Sequence, residues 1–261
     1  MSSLLDKKIY IKENKKNKYG FLVLFIFFIW LFWPNNNGFI KLSYYADNFV
    51  YSILKITHIT KVPEYIHYRN NAVYLAKMYP KKPAPALKAM DRAIAAVPAD
   101  LADKQLSNLY RESAVLKLYY NDKSGALTDF LSAKVLKDTD YLSMAVLLAD
   151  ESRYDEADSK CNELLAKNNN VISGHICQAY VYEKSGDIES AKQIYDSLVE
   201  SRPNSEIVYI ERASFKKRID DQKGAEEDFN TAQKHSSYSN GNHTSIMDRC
   251  INIKELPLSF T

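Results

Sequence analysis

Alanine returns along the chain at Ala86, Ala126, Ala157, Ala191 and Ala225, with gaps of 40, 31, 34 and 34 residues. Four residues after each stands a larger side chain: Met90, Phe130, Cys161, Tyr195 and Phe229. Three further on come Ala93, Ala133, Leu164, Leu198 and Ala232. A second alanine precedes four of them by twelve residues, at Ala114, Ala145, Ala179 and Ala213. The i, i+4, i+7 spacing lines one stripe of a helix. Small residues there let two antiparallel backbones approach, and the larger residue fills the gap toward the next pair. Turn-forming residues separate the two alanines: Ser185, Gly186 and Asp187 in one unit, Asn121 to Gly125 in another, Ser152 to Asp155 in a third. Glycine supplies the turn conformation and aspartate caps the helix that follows. A period near 34 marks stacked helix pairs.

These residues resemble the tetratricopeptide repeat family. Ile172 to Ser205 matches its signature best, through Ala179, Tyr182, Gly186, Asp187, Ala191, Tyr195 and Pro203. Glu206 to Ser239 follows with Tyr209, Ala213, Ala225, Phe229 and Ala232, and Asp138 to Val171 with Tyr141, Ala145, Tyr154, Ala157 and Leu164. Ser107 to Lys137 is shorter, keeping Tyr110, Ala114, Ala126, Phe130 and Ala133. A weaker first unit, His67 to Asp100, retains Ala86, Met90, Ala93 and Pro98, with Pro80, Pro83 and Pro85 crowding its turn. The resemblance implies an all-α solenoid of four to five helix pairs that binds partners and is not an enzyme. It also implies a concave face lined by the first helix of each pair. The matching positions are Arg111, Val115, Leu118 and Tyr119, then Leu142, Val146, Ala149 and Asp150. Ile176, Tyr180, Glu183 and Lys184, then Ile210, Ser214, Lys217 and Arg218, complete the set. Val115 and Ser214 stand where chaperone-binding members carry the asparagines of a carboxylate clamp, so this face departs from that clamp.

Tyr19 to Trp33 is a run of 15 uncharged, mostly bulky residues. As a helix it would reach ~22 Å, short of a ~30 Å hydrocarbon core. Lys18 can snorkel, and Tyr19, Trp30 and Trp33 suit the interface. A cleaved signal peptide is the rival reading, but no small-x-small site follows; the next residues are Pro34, Asn35, Asn36, Asn37 and Gly38. The first 18 residues hold six lysines against Asp6 and Glu13, leaving 29 basic and 30 acidic residues of the chain's 35 and 32. Lysine bias therefore keeps the tail in the cytoplasm and sends the rest across. The expected location is single-pass in an inner membrane, with periplasmic repeats if the cell is bacterial. The overall +3 resides in the tail, so no basic face for nucleic acid is implied.

The chain thus reads as a basic tail over 1–18, an anchor over 19–33, a linker with an amphipathic helix over 34–66, the solenoid over 67–235, and a loop with a capping helix over 236–261. In the linker, Phe39, Leu42, Ala46, Phe49, Val50, Ile53 and Leu54 recur at helical spacing. That helix either caps the open end of the solenoid or lies on a membrane or partner. At the other end Thr244 would cap a helix through Glu255, burying Ile246, Cys250 and Ile253 over the last repeat.

No His-Glu-x-x-His, nucleophile elbow, phosphate loop or dinucleotide fingerprint occurs, and neither cofactor nor metal is expected. The acidic residues Asp220, Asp221, Glu226, Glu227 and Asp228 fall at a turn and helix start, where carboxylates favour the helix dipole. In the repeat register, an antiparallel pair would place Cys161 and Cys177 at similar height on neighbouring helices. They would join in an oxidising compartment or stay as two small apolar side chains in a reducing one. Function reduces to an anchored scaffold for a protein or peptide in envelope assembly, secretion or quality control. The alternative is an accessory protein of polysaccharide synthesis or export with glycan in the groove.

Overall fold

The computed structural model describes residues 38–56, 62–167, 172–235 and 244–254, which form twelve helices and no strand. The expected tail and anchor lie outside the described residues, among which no helix is long and apolar enough to cross a membrane. The chain divides into two compact units, residues 97–258 forming the second.

The first unit contains α1 (Gly38–Ile56), α2 (Glu64–Met78) and α3 (Pro83–Ala95). Helix α2 begins three residues earlier than the His67 expected for this pair. Pro83 opens α3 at its first position, where its missing N–H removes no helical bond. Ala72, Val73 and Ala76 of α2 and Ala86, Met90 and Ala93 of α3 are all fully buried.

Helix α1 has the expected span, and the outer part of its apolar stripe is left uncovered by α2. Ala46 is exposed, and Phe49, Val50 and Ile53 are 68%, 51% and 45% exposed. Docking on α2 runs instead through polar and aromatic side chains. The Asn48 and Asn71 amides exchange two hydrogen bonds of 2.9 and 3.0 Å. The Tyr51 ring stacks on His67 at 3.6 Å, and Tyr44 meets Tyr74 edge-on. Burial lowers the pKa of His67 against the opposing pull of Asp47, so the neutral ring is favoured in this seam.

The second unit stacks four helix pairs: α4 (Asp103–Tyr119) with α5 (Lys123–Ser132), α6 (Asp138–Asp150) with α7 (Tyr154–Lys167), α8 (Ile172–Ser185) with α9 (Ile188–Ser201), and α10 (Glu206–Arg218) with α11 (Gln222–His235). Three pairs begin at the expected residue, and the first begins four residues before Ser107. Ala114, Ala126, Ala145, Ala157, Ala179, Ala191 and Ala213 are all at 0% exposure, as close helix approach requires. This is the arrangement of a tetratricopeptide-like α-solenoid.

The repeat also governs the backbone. Asn121, Ser152, Gly186 and Asp220 have φ of 62°, 60°, 93° and 64°. In each, the next residue's N–H reaches back to the carbonyl of Lys117, Leu148, Tyr182 or Lys216, closing the first helix with a left-handed stop. Asp122, Asp187 and Asp221 then cap the second helix, accepting from the N–H groups of Gly125, Ser190 and Gly224. A Cβ on Gly186 would meet nothing within 4 Å, so its cost there is conformational. Gly186→Ala is expected to lose ~1–2 kcal/mol and Ser152→Gly to gain up to ~1 kcal/mol. Urea midpoints unmoved by either change would contradict the left-handed stop.

Between α7 and α8, Cys161 and Cys177 are joined as a disulfide with Cα atoms 5.5 Å apart, and both are fully buried.

Candidate functional site

The first helices of the second unit form a face, and the expected contact residues divide on it by burial. Leu142, Val146, Ile176, Tyr180 and Ile210 are at most 5% exposed and form its floor. Ser214 is buried, its hydroxyl donating to the carbonyl of Ile210. Val115 and Tyr119 are half-buried, whereas Asp150, Lys184 and Lys217 reach solvent.

Four expected contacts are held in ion pairs within the fold. Arg111 grips Asp140 through Nε and Nη2 at 2.6 to 2.9 Å and also donates to the Val135 carbonyl. Asp140 is 2% exposed and accepts the Lys137 N–H as well, so this pair joins α4 to the start of α6. Glu183 and Arg218 form a two-point pair at 2.6 and 2.7 Å between α8 and α10. Asp150 pairs with Lys123 at 2.6 Å. Tyr180 lies between Lys184 and Arg218, both under 6 Å from its ring centre, and burial pushes its hydroxyl pKa up. The ring is therefore covered.

The residue that organises this face was not among those expected. Helix α12 (Ile246–Ile251) was expected to cover the last repeat; it lies across the first helices instead. Its cap is Ser245, not Thr244: the Ser245 hydroxyl accepts from Met247 N–H at 3.1 Å and Asp248 N–H at 3.4 Å. The same hydroxyl donates to Glu211 of α10 at 2.7 Å, and the other Glu211 oxygen accepts the Ile246 N–H. Glu211 is fully buried. Met247 is also fully buried, in one apolar cluster with Leu142, Val146, Ile176 and Tyr180. At the far end the Ser143 hydroxyl of α6 shares its proton between the Thr139 carbonyl of its own helix at 3.0 Å and the Cys250 carbonyl at 3.1 Å. Beyond it Ile251, Ile253 and Lys254 share a cleft with Leu118, Asn121 and Lys123. The C-terminal segment thus runs back from the last pair to the first.

Glutamate interrupting the apolar positions of α10 was the one available sequence signal. Its pKa is raised from 4.5 by burial, against the lowering effect of the Ser245 and Ile246 hydrogen bonds. The folded chain therefore holds this proton more tightly than the unfolded one. Stability tied to it is complete below the ordinary carboxylate range and is lost as pH rises through the raised value. Glu211→Gln keeps an acceptor without the buried charge, so its stability relative to wild type is expected to grow from pH 4 to pH 8 in urea melts. Glu211→Ala orphans two donors and is expected to cost ~1–3 kcal/mol. A Gln variant that loses as much as Ala at pH 8 would contradict this account.

Other chemistry is accounted for structurally. Asp221 is the cap of α11, and Asp228 pairs with Arg212 and Lys216. Cys250 is the free cysteine among the described residues, its thiol pushed up to about 12 by burial. No group of three His, Cys, Asp or Glu among the described residues is placed to hold a metal ion.

No family model matches the chain, and no curated protein matches it. A solved structure of a tetratricopeptide repeat protein from Parabacteroides merdae ATCC 43184 aligns with a TM-score of 0.58 at 15% identity, over 74% of this chain and 73% of that one. MamA aligns with a TM-score of 0.42 at 14% identity, covering 61% and 91%. YrrB, described as a tetratricopeptide repeat protein with an unusual peptide-binding site, aligns at 0.43 and 15%, covering 67% and 87%. The first of these likenesses is one of fold and agrees with the solenoid described above.

Proposed function

We propose that this chain is a membrane-tethered adaptor that takes a peptide or protein partner on the face made by its first helices. One observation carries the reading: that face already seats a peptide segment of the chain itself, with Met247 fully buried. The apolar floor with Lys184 and Lys217 exposed at its rim suits a peptide better than a sugar, because the Tyr180 ring is covered by cations and presents no stacking platform.

The tether is the uncharged run 19–33, with the lysine-rich tail cytoplasmic and the repeats beyond the membrane. The Cys161–Cys177 disulfide is in keeping with an oxidising compartment. Envelope assembly, secretion and quality control are the processes such an adaptor would serve.

The test is crosslinked capture from intact membranes with wild type, Lys184→Glu and Lys217→Glu. Both lysines are exposed, so charge reversal puts no charge into the core. Partner recovery is expected to fall at least tenfold in one or both variants. Equal recovery in all three would remove the groove from the function.

A further inference from the structure

The tail that fills the groove is built like a ligand. Its ends are fixed by three polar contacts, Ser245 and Ile246 to Glu211 at one end and the Cys250 carbonyl to Ser143 at the other. Between them one unbranched side chain, Met247, enters the floor. Asp248 follows, in a cleft with Ser214, Lys217 and Arg218. Its charge acts on Arg218, favouring the guanidinium. The helix has only six residues and joins the solenoid through the polar stretch 236–243. An element with so few bonds of its own opens more readily than the paired helices beneath it.

We infer that residues 244–254 are an intramolecular stand-in for the partner and occupy the groove until it arrives. This rests on the peptide-binding reading above and names the class of partner. The ligand is a peptide whose short helix begins with a hydroxyl cap, carries methionine or a similar unbranched apolar residue two positions later, and a carboxylate next. The hydroxyl and first helical N–H satisfy Glu211, which would otherwise be left buried without donors. The apolar residue fills the Met247 pocket, and the carboxylate faces Lys217 and Arg218. Because the tail is tethered, it competes at an effective concentration in the millimolar range. A free peptide therefore wins only when it binds tightly or when the tail is weakened.

The Cys250 thiol reports the tail's position, since the residue is half-buried against the core and opens to solvent on release. The test uses the full chain, wild type and Met247→Ala. Cys250 alkylation is followed with a maleimide, while a fluorescent peptide spanning Thr244–Lys254 with Cys250→Ser is titrated in. Alkylation is expected to be at least tenfold faster in Met247→Ala, with the helical signal and main melting transition retained. The peptide should bind this variant saturably and wild type at least tenfold more weakly; a peptide with Met247→Ala should bind neither.

The inference is overturned if Cys250 in wild type reacts only at the rate of global unfolding. It is equally overturned if Met247→Ala does not fold, or if its groove opens and takes no peptide. Peptide binding here without partner capture from membranes would leave this inference standing and sink the adaptor function instead.

Discussion

Arg111→Met is expected to cost the folded chain on the order of 3–5 kcal/mol, the range for removing one partner of a buried ion pair. Asp140 is 2% exposed and the Arg111 side chain 13%, so little water is at hand to replace the guanidinium. Three of the four contacts made by Arg111 Nε and Nη2 go to that one carboxylate. For a folded unit of this size the loss corresponds to a melting temperature lower by roughly 10 °C. Adding Asp140→Asn should recover most of it, because asparagine can still accept the Lys137 N–H but carries no charge to strand. The measurement is a set of urea melts on wild type, single and double variants. Arg111 resembled a partner contact by its position; a melt within 1 kcal/mol of wild type, with capture lost, would restore it to that role.

Breaking the Cys161–Cys177 bond has the next largest expected effect. The two cysteines are 16 residues apart, and closing a loop of that size removes unfolded-state entropy worth ~3 kcal/mol. Cys161→Ala with Cys177→Ala adds the loss of two fully buried sulfurs to that figure. Reduced and oxidised wild type compared in the same urea series isolates the crosslink from the packing. Identical midpoints would mean that the bond does not tie α7 to α8 in solution.

Helix pairing was legible because the repeat acts at every level of the chain. The alanines that let helices approach, the left-handed stops at Asn121, Ser152, Gly186 and Asp220, and the aspartate caps keep one register. Pair boundaries at Asp138, Ile172 and Glu206 follow from those local signals alone. What the pattern could not carry was the choice of face where two elements meet without a repeat. Helix α1 has an apolar stripe at helical spacing, but the surface of α2 that receives it offers His67, Asn71 and Tyr74. Complementary polar groups decided the contact, and Phe49 was left outside.

The path of the tail is not legible in the sequence for a related reason. Ile246, Cys250 and Ile253 suggested an end cap, since apolarity alone does not say which surface is covered. The deciding groups are Glu211 and Ser143, which capture the two ends of α12 through hydrogen bonds spanning 34 and 107 residues. Several positions expected to meet a partner are committed elsewhere. Arg218 pairs with Glu183, Asp150 with Lys123, and Arg111 with Asp140. A charged residue on a first helix serves the next repeat as readily as a ligand, and spacing does not distinguish the two.

The path of the C-terminal segment is the point on which the groove, its floor and its ligand class all depend. Lys254 and Lys123 share one cleft, at opposite ends of the chain of pairs from α11. Lysine crosslinking followed by mass spectrometry, on a mixture of light and heavy-labelled chains, reads that path directly. The expected product is a Lys123–Lys254 link within a single chain. Lys254 linked only to Lys223 or Lys234 of α11 would return the tail to the end of the solenoid and leave the groove without its occupant.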